Sequence, residues 1–382
     1  MIDAKIGLLI LQPTPFCNIN CSYCYLPNRN VKERMSTETF TKILERLVES
    51  NFVGDKISFV WHAGEPLALP PGYYSEVFEK IESFPSLAGK VTHSMQTNGV
   101  LINDQWCQLF LRHSVNVGVS IDGPDFIHDA YRKDKKGQGT LARVLRGVEC
   151  LKRYGVKFHV IAVLTSNSLN HAEEIFRFFL DLGVENLGFN IEEKEGVNSS
   201  TSLETCDMDE RVKGFFRRTY ELQKQYGNRL KIREFDRAFR AIAISDPERP
   251  ENIERLNDQA TPIKILSIDH SGYFSTFSPE LLGMNDPEHG DFIFGNVYED
   301  TFESMWAKPN FIKTLVEINK GVGKCKASCE YFSLCGGGAP SNKLYENGTF
   351  ESVETMYCKY TIKYPLDIAI HELENQLFMQ PT

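Results

Sequence analysis

Six short β-rich runs alternate with five helix-period segments over the first 191 residues, and this alternation limits the possible folds more than any other feature. The runs are GLLILQ (7–12), ISFVW (57–61), VTHSMQ (91–96), VNVGVSI (115–121), FHVIAVLT (158–165) and NLGFNI (186–191). Between them lie amphipathic segments at 36–50, 73–84, 103–113, 140–155 and 170–183. Ser36 and Asn103 stand where N-caps belong, and Gly155 and Gly183 where helices stop. Repeated strand–helix–strand units build a parallel sheet with right-handed crossovers, and the loops after the strands hold the site. Periodicity fits both a doubly wound sheet and an open part of the eightfold barrel.

After residue 192 the pattern changes. Residues 193–207 are polar, 208–227 read as an amphipathic helix, and 263–278 as a hairpin turning at His270-Ser271-Gly272. A cysteine-dense stretch at 325–358 and a closing helix near 364–377 follow. Three regions are expected: 1–192, a helical linker at 193–262, and a smaller unit at 263–382. A net charge of −9 argues against nucleic acid as partner. No apolar run reaches the roughly 18 residues of a membrane span. The N-terminus has no basic region, and Gln12 and Pro13 interrupt its apolar patch, so a secretory signal is not expected and a cytoplasmic location is. The sequons at Asn198 and Asn347 then read as chance. Ten cysteines in such a chain point to metal or redox chemistry before disulfides.

Cys17, Cys21 and Cys24 follow the first strand in CNINCSYCYLP. Spacings of four and three in a polar loop do not describe a core face. Structural zinc wants four protein ligands, and no fourth lies nearby. A cubane [4Fe–4S] cluster tolerates three thiolates and leaves one iron open.

That motif resembles the CxxxCxxC signature of the radical S-adenosylmethionine superfamily, with aromatic Tyr23 before its last cysteine. The resemblance implies that S-adenosylmethionine fills the open iron position and is cleaved to a 5′-deoxyadenosyl radical. WHAGEP (61–66) resembles the family's GGEP motif, with His62-Ala63 as a departure. QTNG (96–99) and SIDGP (120–124) resemble segments of its peptide-modifying branch. By this resemblance Tyr23, Ala63, Gly64, Glu65, Asn98, Ser120, Asp122 and Arg132 bind the cosubstrate. Arginine suits a carboxylate as a forked donor. The alternative for Arg132 is a surface ion pair.

Cys325, Cys329, Cys335 and Cys358 form a complete four-thiolate set, which spacing leaves open to zinc or a second [4Fe–4S] cluster. Gly336–Gly338 lack a P-loop's Lys-Ser/Thr, and no helix signal opens there; a tight turn is the simpler reading. The segment resembles the SPASM module, which usually carries seven cysteines and two clusters. Here the hairpin carries none and Ala339 stands at a usual cysteine position, so one auxiliary cluster is expected. Cys107 and Cys150 read as core packing. Cys206 has no assigned role.

Taken whole, the chain resembles the cyclophane-forming peptide maturases of glycine-rich-repeat precursors. The implied fold is α/β, a partial (βα)6 TIM-type barrel followed by a small SPASM-like iron–sulfur domain. The implied cofactors are S-adenosylmethionine and two [4Fe–4S] clusters. The implied partners are a ribosomal precursor peptide and an electron donor such as flavodoxin or ferredoxin. The implied reaction joins an aromatic ring to a β-carbon. Its proton acceptor is sought among Glu192, Glu193, Asp269 and Glu280. No separate peptide-recognition domain is expected before the first strand, so leader binding is expected to use the barrel, the auxiliary module or another protein. Two alternatives remain: a formylglycine-generating (anaerobic sulfatase-maturase-like) or thioether-forming SPASM enzyme, and a non-catalytic zinc scaffold.

Overall fold

The structure is a computed structural model and describes residues 4–244 and 257–378. Part of the linker expected at 193–262, residues 245–256, lies outside the described residues. The strands are β1 (Leu8–Leu11), β2 (Ile19–Cys21), β3 (Ile57–Trp61), β4 (Val91–Thr97), β5 (Asn116–Ser120), β6 (Arg132–Asp134), β7 (Phe158–Leu164), β8 (Asn186–Ile191), β9 (Lys231–Ile232), β10 (Ile265–Ile268), β11 (Tyr273–Thr276) and β12 (Gly295–Asn296).

Ten of them form one sheet, in the order β12-β11-β10-β1-β3-β4-β5-β7-β8-β9. Pairing is parallel from β10 through β9, and β11 and β12 add antiparallel at one edge. This is the partial barrel with helical crossovers. Strand alternation decides which side faces the helices. In β3, Ile57, Phe59 and Trp61 are fully buried, while Ser58 and Val60 are half-buried. Trp61 packs edge-on to Tyr74 at 5.1 Å between ring centres, anchoring the helix Pro71–Glu82. The opposite faces, with Leu8, Val60, Gln96 and Ile161, line a hollow lumen.

The expected helix ends are present. Ser36 Oγ accepts from Thr39 N at 2.9 Å, and Asn103 Oδ1 from Trp106 N at 3.2 Å. Gly155 closes its helix in the left-handed region at φ 69°. Two features differ from expectation. The hairpin at 265–276 does not stand apart, because β10 pairs in parallel with β1 and continues the barrel sheet. A helix, Pro340–Asn347, does open two residues beyond the glycine run, with Pro340 at its first position, where a missing N–H costs nothing. Among the described residues no helix is long and apolar enough to cross a membrane.

Candidate active site

The cysteine loop begins where β1 ends and is held from two sides. β2 pairs with β6 so that Cys21 lies opposite Arg132. Glu65 N donates to Phe16 O at 2.8 Å, so the loop after β3 braces the chain entering Cys17. Gly64 makes that approach possible: a Cβ there would lie 2.3 Å from Thr14 O and 2.7 Å from Phe16 O. Cys17, Cys21 and Cys24 line one cavity of about 230 Å³ at the carboxyl ends of the strands.

Burial pushes the Cys17 thiol up to about 12 and the Cys21 thiol to about 11. Buried thiols of this kind become thiolates only beside a strong cation, and a metal centre supplies one. The donor set of three thiols facing one cavity therefore fits an iron–sulfur cluster with one open iron. We assign it Cys17, Cys21 and Cys24.

Glu65 is an organiser. Its carboxylate accepts from Leu67 N at 3.0 Å, Thr97 Oγ1 at 2.6 Å and Asn98 N at 2.8 Å, tying the loop after β3 to the end of β4. Burial lifts its pKa to about 7. Asn98 Nδ2 in turn donates to Asn18 Oδ1 at 2.7 Å and lies 3.7 Å from Cys17 Sγ. Ser120 Oγ accepts from Gln96 Nε2 at 2.9 Å. Ala63 also lines the cavity, with φ at 69°.

Arg132 is not a surface ion pair. It is buried, its Nε donates to Asp122 Oδ2 at 2.9 Å, and its Nη1 lies 4.0 Å from Cys21 Sγ. Tyr23 donates its hydroxyl to the same Asp122 oxygen at 2.5 Å, and Val163 N donates to the other at 2.9 Å. Burial alone would raise Asp122; the Arg132 guanidinium overrides it and holds the carboxyl below its usual range. Asp122 thus serves the site by fixing Tyr23 and Arg132.

The far wall carries carboxyls. Glu193, Glu195 and Glu280 line the same cavity, and burial is the first cause that raises the pKa of each. Glu193 stands at about 8, although Asn342 Nδ2 donates to its Oε2 at 2.8 Å. Glu195 Oε1 and Glu280 Oε2 are buried without a hydrogen-bond partner. Glu195 was not among the expected residues. Its loop looks solvated in sequence, yet Val197 N donates to Tyr25 O at 3.1 Å and folds it back onto the cysteine loop. Tyr25 and His62 were also missed. They line the cavity with Tyr25 Oη 3.5 Å from His62 Nε2, and burial lowers His62 to about 4, so it is neutral.

Two expected proton acceptors are engaged elsewhere. Asp269 lies outside this cavity and closes its own turn, accepting from Ser271 N at 2.8 Å and Tyr273 N at 3.0 Å. Glu192 lines the cavity, but its Oε2 is taken by Ser202 N at 2.8 Å and Ser202 Oγ at 2.5 Å.

Cys325, Cys329, Cys335 and Cys358 line a separate small cavity. Lys343, 2% exposed, places its Nζ 3.3 Å from Cys325 Sγ. A buried ammonium against sulfur is stable when that sulfur is anionic, as in a metal-bound thiolate. The set fits a second cluster. Cys107 and Cys150 are buried core residues, and their sulfurs lie 3.4 Å apart.

A model of the radical SAM superfamily matches residues 11–179. The Synechocystis protein sll1766 is 41% identical over 377 residues, spanning 97% of this chain and 93% of its own. The serine-type anaerobic sulfatase-maturating enzyme of Bacteroides thetaiotaomicron is 26% identical over 393 residues, spanning 98% and 93%. The solved structure of native anSMEcpe with AdoMet and the Kp18Cys peptide superposes with a TM-score of 0.78 at 23% identity, covering 97% of this chain and 99% of that one. The chain belongs to the radical SAM superfamily. It is an enzyme that uses S-adenosylmethionine and [4Fe–4S] clusters.

Proposed function

We propose that the protein is a peptide maturase that joins an aromatic ring to the β-carbon of a nearby residue in a ribosomally made precursor. The observation that carries this is one cavity with the three-thiol loop on one wall and three carboxyls, Glu193, Glu195 and Glu280, on the other. In this reaction the β-carbon loses a hydrogen atom, a C–C bond forms to the ring, and the ring then loses one proton and one electron. When bound, the cosubstrate and its cluster supply the hydrogen-atom abstraction, and the second cluster supplies an electron sink.

This chain's own residues do the rest. Arg132, oriented by Asp122, presents a guanidinium for the cosubstrate's carboxylate. Tyr23, Ala63, Gly64, Asn98 and Ser120 shape the same pocket, and Glu65 holds the loops that carry it. Glu193, Glu195 or Glu280, in its ionised form, takes the ring proton. A carboxyl whose pKa burial has moved toward neutrality is matched to such a transfer. Cys325, Cys329, Cys335 and Cys358 hold the single auxiliary cluster. A donor such as flavodoxin or ferredoxin would supply the electron that each cleavage of the cosubstrate consumes.

Likeness to sulfatase-maturating enzymes along the whole chain favours a second reading, oxidation of a Cys or Ser to formylglycine. Mass spectrometry of a glycine- and aromatic-rich precursor encoded beside this chain, after coexpression, separates the two. Crosslinking gives a peptide lighter by two hydrogens per event, with the linked residues resisting separation on fragmentation. A free aldehyde at a Cys or Ser in place of that link refutes the crosslinking reading.

A further inference from the structure

Among the described residues, two cavities open into the barrel lumen, and the one at the strands' carboxyl ends has a role already. The second, about 710 Å³, lies at their amino ends. Gln96 and Ile161 belong to both walls and form the septum. Barrels of this type are usually filled by layers of side chains. Here Leu8, Val60 and Ile161 turn half-exposed apolar surface into the space instead.

The rim of that cavity is basic in a chain of net charge −9. Lys231, Arg237 and Arg240 reach it, Arg237 and Arg240 from successive turns of the helix Arg233–Ile244. Arg233 lines it too, but is committed: it donates to Glu234 Oε1, Phe189 O and Asn190 Oδ1 at 2.7–2.9 Å. Gly188 leaves room for that guanidinium, since a Cβ there would lie 2.7 Å from its carbon. Asp236 also lines the wall, without an ion pair among the described residues. Arg237 and Arg240, both exposed, have no hydrogen-bonded or ion-paired partner among the described residues; Arg233 repels Arg237 and Glu234 attracts it. Like charges gathered at a hollow, two of them without a carboxylate in hydrogen-bond or ion-pair contact, are an anion's complement.

We infer that the amino-terminal half of the lumen is a second ligand site for a small organic anion. Its apolar body would lie on Leu8, Val60 and Ile161, and its carboxylate or phosphate head on Arg237 and Arg240. Pockets that bind such ligands combine an apolar wall with a few convergent charged groups, as here. The inference stands apart from the proposed reaction.

Calorimetric titration of the anaerobic holoenzyme, with S-adenosylmethionine saturating the other cavity, tests it. The probes are 1-naphthyl phosphate, 1-naphthoate, 1-naphthalenemethanol and inorganic phosphate. At least one of the two anions binds, and the alcohol does not. Their order tells which head group the rim prefers, and either order supports the site. In R237Q/R240Q binding weakens at least about ten-fold, as expected for lost charge-assisted hydrogen bonds. A variant losing two distant charges, K320Q/K324Q, keeps wild-type affinity. Unchanged affinity in R237Q/R240Q, equal binding of the alcohol, or inorganic phosphate binding as tightly as its naphthyl ester overturns the inference.

Discussion

Glu193 shows how much a single half-buried carboxyl can bear on stability. Burial, then repulsion from Glu280 and Glu346, raises it from 4.5 to about 8 against the pull of Asn342 and Arg233. A raised acid binds its proton more tightly in the folded chain than in the unfolded one. Its contribution to stability is therefore complete below pH 4.5 and is lost as pH rises through about 8. Glu193→Gln mimics the protonated form, and its amide oxygen still accepts from Asn342. The variant should match wild type near pH 5 and melt higher at pH 8.5, by a margin on the order of a few kcal/mol. Scanning fluorimetry of both proteins across that range measures the gap. A gap that stays constant with pH means Glu193 is not held protonated. Crosslinking should also fall in this variant if Glu193 is the ring's proton acceptor, and stay unchanged if Glu195 or Glu280 is.

At the level of elements, the loop after β3 and the loop after β1 are one structural unit. Ala63 already sits at φ 69°, so a left-handed backbone is tolerated there by a residue with a Cβ. Gly64, at φ 60°, differs because space is missing: its Cβ would meet two backbone oxygens of residues 14–16. Gly64→Ala must push that segment away and displace Cys17. Melting should drop by several degrees, from strain of roughly 1–3 kcal/mol plus the clash. Iron per chain should fall toward the content of the second cluster alone. Gly72→Ala is the control, since nothing lies within 4 Å of its added Cβ inside a helix. Full iron in Gly64→Ala would show that the two loops are not coupled. Sequence made the main elements legible because strand and helix periods alternate cleanly through 191. It hid those with no period to read. β2 and β6 are three residues each and exist through each other. The helix Pro340–Asn347 follows three glycines without a side-chain cap. The pairing of β10 with β1 joins residues more than 250 apart, which no local pattern records. The cysteine loops were legible because chemistry fixes ligand spacing. Glu195 was not, because only the folded chain shows that its polar loop turns inward.

Across the whole molecule, one short helix ties the two cysteine sets together. Within Pro340–Asn347, Ser341 N donates to Ser278 Oγ at 3.2 Å, Asn342 holds Glu193 in the barrel cavity, and Lys343 reaches Cys325. Adjacent residues on a helix point in directions about 100° apart, so one element can serve two neighbouring sites. The consequence is clearest at Lys343. A cubane held by four thiolates is anionic, and a buried ammonium is the strongest compensation within reach. Lys343→Met keeps the length of the side chain and removes the charge. Iron and sulfide should then fall from about eight to about four of each per chain, the first cluster remaining. Binding of S-adenosylmethionine should persist, because its pocket lies with Cys17, Cys21 and Cys24. Lys343→Arg, which restores the charge, should recover part of the lost iron. If Lys343→Met retains its full iron while melting lower, the lysine acts only in packing. If it loses cosubstrate binding together with the second cluster, the helix transmits damage from one site to the other through Asn342, and the sites are mechanically one.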